Sequence, residues 1–358
     1  MRVSRLLIAL TVLCSPWARG DPLQHEFLLL PSATAIGTFD RQAPETQLYD
    51  QVVQADALLS LQKGPFKLFG EYLLSDHEGD LERFQLGWQL SSDTVIWVGR
   101  YHQPTSVYNH DHHHGQYLQT TITRPWIDEW EDLRGVLPQH FTGMLIESSH
   151  EVLGDLRLRT AIAGGLTPKL TNDGLQPFDL IHPDSGRRPG YQARASLHPS
   201  EFSDSGFGVV VADDQIDATQ FRPINGGPKL DRIDLQLYGL FGVYADDLWK
   251  VTATVYAARA AVHYFGSTDD DDAFGFSYLQ VERHIGRNFT GFARVEEAAG
   301  VGNSAYLHLF EQFARTRYLG GVRWDFLERQ ALTLQLTDSF LLNGHFSDVR
   351  LQWSAALF

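Results

Sequence analysis

From about Leu48 onward the chain consists of stretches of roughly ten residues in which apolar and polar side chains alternate, separated by Gly, Asp, Asn, Ser and Pro. A period of two sends successive side chains to opposite faces of an extended strand, so each stretch has two distinct faces. In Arg232 to Tyr244 one face holds Ile233, Leu235, Leu237, Gly239, Phe241 and Val243, and the other holds Arg232, Asp234, Gln236, Tyr238, Leu240, Gly242 and Tyr244. The first row is unbroken and apolar; the second is mostly polar. The same pattern sets Phe84, Leu86, Trp88 and Leu90 against Arg83, Gln85 and Gln89. It sets Leu156, Leu158 and Ile162 against Arg157 and Arg159, and Leu332, Leu334 and Leu336 against Thr333, Gln335 and Thr337.

The gaps between stretches are of two kinds. Ser91-Ser92-Asp93, Ala245-Asp246-Asp247, Gly286-Arg287-Asn288 and Leu327-Glu328-Arg329 leave room for tight reversals between antiparallel strands. Residues 104 to 139, 166 to 188, 214 to 229, 265 to 272 and 299 to 314 form longer, polar gaps. This asymmetry predicts an all-β, transmembrane antiparallel β-barrel with short periplasmic turns and long extracellular loops. The stretches number about 16, with about 14 as the alternative, and a barrel of that size encloses an aqueous channel. A soluble β-sandwich or propeller shares the alternation and is the competing class. The barrel is placed at 46–358, and the segment 21–45 is a first strand, an interior plug or a periplasmic tail.

Met1 to Gly20 has the layout of a cleaved secretory signal: Arg2 and Arg5, a short apolar run from Leu6 to Leu13, and the small-x-small site Ala18-Arg19-Gly20. Cys14 would leave with it, so the mature chain is expected to have neither disulfides nor thiolate metal sites. Residues 21–358 carry 26 basic and 44 acidic side chains, a balance of −18. So acidic a chain, with no local basic patch, is not a nucleic-acid coat. Nor does any later apolar run approach the roughly 20 residues that a membrane-spanning helix requires.

Gly99-Arg100-Tyr101-His102-Gln103-Pro104, followed by His112-His113-His114-Gly115-Gln116, Thr123-Arg124-Pro125 and Gly135-Val136-Leu137-Pro138-Gln139-His140, resembles a segment of porin-like Gram-negative outer-membrane proteins. The phosphate-selective porins of the O and P type and related barrels carry a similar strand ending and ordered loop. Arg315 to Leu336 is similar to the late hairpins of such porins, and the final strand, Val349 to Phe358, ends on Phe as outer-membrane barrels do. The resemblance implies a barrel in the Gram-negative cell outer membrane, in contact with lipid and lipopolysaccharide. A homotrimer is compatible with it.

If the apolar rows face lipid, the opposite rows face the lumen. That places Lys67, Arg83, Arg100, Arg157, Arg159, Arg194, Arg232, Arg294, Arg323 and Arg350 on the inner wall. Among the basic residues after position 20, Arg outnumbers Lys by 21 to 5, a preference for the fork that stays charged at any physiological pH. A guanidinium-lined passage favours anions, with Glu71, Asp234 and Asp325 opposing; mutual pairing as wall reinforcement is the bland alternative. The expected function is passive diffusion of small, mostly anionic solutes. A receptor or metal-binding barrel, or a structural anchor or adhesin, is the rival reading.

His110, Asp111, His112, His113 and His114 form an uninterrupted run of potential zinc or copper ligands. In an extended segment His110, His112 and His114 would share one side. No other cofactor is expected. Ser148-Ser149-His150 has the residue types of a hydrolase but not the geometry, because adjacent strand residues point to opposite faces, and no nucleophile or zinc-protease motif occurs. The chain is therefore not expected to be an enzyme.

Overall fold

The computed structural model describes residues 22–39, 50–76, 79–112, 115–129, 131, 135–223, 227–310, 313–342 and 344–358. The leader expected at 1–20 lies outside the described residues.

The alternating stretches become long antiparallel strands. In chain order these are β1 (Gln24–Phe39), β2 (Gln51–Lys63), β3 (Phe66–Ser75), β4 (Gly79–Ser91), β5 (Thr94–His102), β6 (His140–Leu153) and β7 (Leu156–Leu166). A small hairpin, β8 (Lys169–Thr171) and β9 (Gly174–Gln176), precedes β10 (Pro189–His198), β11 (Gly206–Asp217), β12 (Leu230–Ala245) and β13 (Trp249–Tyr264). The last five are β14 (Asp270–Ile285), β15 (Phe289–Ala299), β16 (Ala314–Leu327), β17 (Gln330–Leu341) and β18 (Gly344–Ala355). β7 pairs directly with β10, leaving the small hairpin outside the ring, where Lys169 touches Asp217 of β11. β1 pairs with β2 on one side and β18 on the other, so sixteen strands close into a barrel without an open edge. The ring of strands begins at Gln24, within the segment 21–45.

Tight reversals gather at one end of the barrel. Gly154, at φ 58°, takes a left-handed conformation that side chains disfavour, which suits the two-residue turn between β6 and β7. At the other end 76–78 and 342–343 are also short, but 103–139, 167–188, 218–229 and 300–313 are long, the longest being 103–139 between β5 and β6. It does not stay outside. Its short helix α1 (Val107–His112) and its 3-10 turns at Gln116–Leu118 and Trp126–Asp128 lie within the barrel, and Val107, Ile127 and Val136 are fully buried.

Most strands place their apolar row outward, as parity suggests: Phe84, Leu86, Trp88, Ile162, Leu334 and Leu336 are exposed on the outer wall. β12 is the exception. Ile233, Leu235, Leu237 and Phe241 point inward and are buried, while Tyr238, Leu240 and Tyr244 face out. The inner side of β11–β14 is apolar because it packs on other protein. Val210, Leu237, Tyr256 and Phe276 form one core with Val107, Ile127 and Leu137 of the 103–139 segment and Tyr306, Leu307 and Phe310 of the 300–313 connection. Burial against protein and burial against lipid demand the same residue types, so β12 is apolar on both faces at mid-height.

Candidate functional site

The wall formed by β14 to β17 holds the inward segment by its backbone. Arg294 donates to the carbonyls of Thr123 at 2.8 Å and Arg124 at 2.7 Å, to Gln280 Oε1 at 2.8 Å and to Glu296 Oε1 at 2.8 Å. Arg317 donates to the same Glu296 oxygen at 2.7 Å and to the Arg124 carbonyl. The other Glu296 oxygen accepts the Trp126 amide at 2.6 Å. Arg323 donates to the Tyr117 and Gln119 carbonyls at 2.8 and 2.7 Å, and Gln335 Oε1 accepts the Ile122 amide at 2.8 Å. These long donors satisfy carbonyls that an irregular segment cannot pair with itself.

Within the segment, Asp128 accepts a hydrogen bond from Ser106 Oγ at 2.9 Å, and its backbone carbonyl accepts one from Asn109 Nδ2 at 2.7 Å. Burial pushes the Asp128 carboxyl up to about 7, outweighing Ser106 and Arg124; Glu296 and Arg294 also face it, with opposite effects. The packed segment thus favours the neutral acid. Its contribution is complete below the ordinary aspartate range and is withdrawn as pH rises toward 7. Amides of 103–139 should therefore exchange hydrogen faster at about pH 8 than at about pH 6, after correction for intrinsic chemistry, and Asp128→Asn should abolish the difference. Equal protection in the wild type at both values contradicts this.

Beneath the segment, toward the tight-turn end, lies a cavity of about 730 Å³. Its roof includes Tyr108, His110 and His112, and its wall includes Lys67, Arg157, Arg159, Arg194 and Lys250. Alternation explains the wall: Arg157 and Arg159 of β7 and Arg194 of β10 occupy inward positions on neighbouring strands, with Arg159 opposite Ser196 and Arg157 opposite His198. Five acids, Asp93, Glu147, Glu201, Asp204 and Glu282, also line it, so formal charge balances. Pairing does not. Glu201 meets Arg157 at 3.3 Å, Glu147 accepts from Trp97 at 2.8 Å, and Glu282 accepts from Thr120 at 2.6 Å. Lys67, Lys250, Arg159 and Arg194 form no ion pair among the described residues.

Of the inner-wall residues expected from sequence, Lys67, Arg157, Arg159 and Arg194 line this cavity. Arg83, Arg100 and Arg294 are buried in pairs instead: Arg83 with Glu71, Arg100 with Asp80 at 3.1 Å, and Arg294 with Glu296. Arg350 pairs with Asp348 at 2.9 Å, and Arg323 is occupied with the inward segment and Asp325. Arg232 lies on the opposite side of β12 from the buried Ile233 and Leu235, beside Asp234 at 3.2 Å, and so belongs to the outer surface. Its displacement follows from the inverted faces of β12. Sequence reasoning misses Lys250 and His198, although each stands at an inward position that alternates with an outward apolar residue, Trp249 and Val251 for the first and Leu197 for the second.

The His-rich run is not extended. Val107–His112 is helical, which turns His110 and His112 away from a shared side. His110 approaches Glu147 at 3.7 Å, and the His112 ring packs on Tyr108 with centroids 4.5 Å apart. His113, His114 and the Asp111 side chain lie outside the described residues. Among the described residues no three His, Cys, Asp or Glu side chains gather as a metal site.

No family model matches the chain, and no curated protein matches it in sequence. Solved structures do match. The anion-selective porin from Comamonas acidovorans superposes with a TM-score of 0.61 at 11% identity, over 94% of this chain and 100% of that one. The fold is that of an outer-membrane porin. OmpT, an outer membrane protein of Vibrio cholerae, gives 0.59 at 9% identity, covering 96% and 100% of the two chains. The outer membrane channel DcaP of Acinetobacter baumannii gives 0.58 at 8% identity, covering 94% and 97%. At such identities the likeness concerns the ring of strands, and the lining must be read from this chain's own residues.

Proposed function

We propose that the protein is a porin-like channel of the Gram-negative outer membrane, with its tight turns toward the periplasm, that passes small solutes and favours anions. The supporting observation is the cluster of cations on one side of the cavity: Arg159 and Arg194 stand on adjacent strands without carboxylate partners among the described residues, beside Arg157, and Lys67 and Lys250 line the same space. Cations clustered between low-dielectric walls raise the concentration of anions beside them. The inward segment narrows the path, because the wall side chains that meet it, such as Gln280, Arg294 and Gln335, are buried.

The test is the reversal potential of purified protein in planar bilayers under a potassium chloride gradient. Chloride should be favoured over potassium, and Arg157→Ala together with Arg159→Ala should lower the permeability ratio by about twofold or more. A cation-favouring wild type contradicts the proposal, as does folded protein that never conducts. Running the same gradient with phosphate decides the narrower preference that the resemblance to phosphate-selective porins implies.

A further inference from the structure

Arg194 differs from the other buried arginines. It is 8% exposed, yet among the described residues its Nη1 has no hydrogen-bond acceptor and its guanidinium has no carboxylate within ion-pair distance. Arg83, Arg100, Arg294 and Arg317 are equally buried, and each holds a carboxylate; Arg124 holds the Asn109 side chain. The Arg194 guanidinium lies instead over the Phe241 ring, 4.6 Å from guanidinium carbon to centroid. A guanidinium does not shed its proton in a protein, so burial cannot be relieved by neutralisation. A buried charge without a counter-charge is strongly unfavourable, and an aromatic face offsets only part of it.

The surroundings indicate what would complete the arrangement. Arg194 lines the cavity described above, and so does Arg159 on the adjacent strand, two positions along in register through Ser196. Phe241, Val243, Val107 and Ala161 supply apolar wall around the same space. A volume of about 730 Å³ accommodates a small organic molecule together with water. The planar fork matches a carboxylate through two parallel hydrogen bonds, and the ring beside it offers an apolar face to whatever bears that carboxylate.

We propose that Arg194 and Phe241 form a recognition site for small organic carboxylates, the carboxylate on the guanidinium and the apolar body against the ring. The inference deepens the channel reading and rests on it for its biological setting, whereas the binding itself requires only a folded barrel.

Calorimetric titration of the full-length protein in detergent micelles, with benzoate and with inorganic phosphate as probes, tests the site. The wild type should bind benzoate saturably, and phosphate about tenfold more weakly or less. Arg194→Gln should weaken benzoate by about tenfold or more, and Arg194→Lys, which keeps the charge and loses the fork, should fall between. Phe241→Leu should weaken benzoate while leaving phosphate unchanged. A second readout needs no ligand: Arg194→Leu, which removes an unpaired buried charge, should raise the melting temperature of the empty barrel. Unchanged benzoate binding in Arg194→Gln, a lowered melting temperature in Arg194→Leu, or phosphate binding as tight as benzoate overturns the proposal. Protein that conducts in bilayers but binds no benzoate leaves the channel standing and removes the site. Benzoate binding by protein that never conducts does the reverse.

Discussion

Glu296→Ala should cost the barrel about 3–5 kcal/mol, read as a lowered urea midpoint in lipid vesicles, and should widen the channel. Glu296 is buried between Arg294 and Arg317, accepting from both, and its second oxygen holds the Trp126 amide of the inward segment. Removing it leaves two guanidinium groups without their carboxylate in a region sealed from water, and it cuts a direct tie between wall and segment. Arg294 would keep its bonds to Gln280 and the segment carbonyls, so the segment is loosened rather than expelled. Single-channel conductance should therefore increase and fluctuate, whereas Glu296→Gln, which preserves an acceptor, should show a smaller loss of stability. Unaltered stability and conductance in Glu296→Ala would mean that the triad does not hold the segment.

The second large effect separates the two faces of β12. Leu240 is 63% exposed on the outer wall, and Leu237 is 2% exposed in the internal core. Leu240→Arg puts a cation against lipid, where the penalty near the bilayer midplane is about 2–4 kcal/mol, moderated by movement of the long side chain toward the interface. Leu237→Arg puts a cation into the internal core that includes Val210, Tyr256 and Phe276, where desolvation places the effect in the exceptional range above about 4 kcal/mol. Leu237→Arg should therefore be the more damaging, to the point of abolishing the heat-modifiable band on unboiled gels. If the apolar row of β12 faced lipid, as simple alternation suggests, the order would be reversed.

That reversal marks the limit of what alternation can reveal. Period two identifies strands and their parity, and for β4, β7 and β17 it also identifies the outward row, because there the inward row is polar: Arg83 and Gln85, Arg157 and Arg159, Thr333 and Gln335. In β12 both rows contain large apolar residues, and the choice depends on what packs inside. The packing partner, 103–139, carries Val107, Ile122, Trp126, Ile127, Val136 and Leu137 at no helical or strand period, so nothing local distinguishes an apolar insert from an exposed loop. β1 is equally open in the sequence, since a strand becomes recognisable as the closing member of a ring only from its two partners.

The site follows the same rule. Parity alone places Lys67, Arg157, Arg159 and Arg194 on the inner wall, and they surround the cavity. Parity cannot tell a cation that faces water from one spent on protein, which is why the sequence sets Arg83, Arg100 and Arg294 beside them although each is buried in a pair. Arg232 goes astray with its strand. The helical turn of Val107–His112 is hidden by its His and Asp content, since neither residue type favours a helix interior.

The most direct test is spin-label accessibility at three single-cysteine positions in a Cys14→Ser background, in lipid vesicles. A label at 240 should collide with oxygen, which concentrates in lipid, and one at 157 with a water-soluble nickel chelate; one at 237 should be protected from both. Oxygen access at 237 together with nickel access at 240 would show β12 facing the other way, and protection at 157 would show that the barrel encloses no aqueous space.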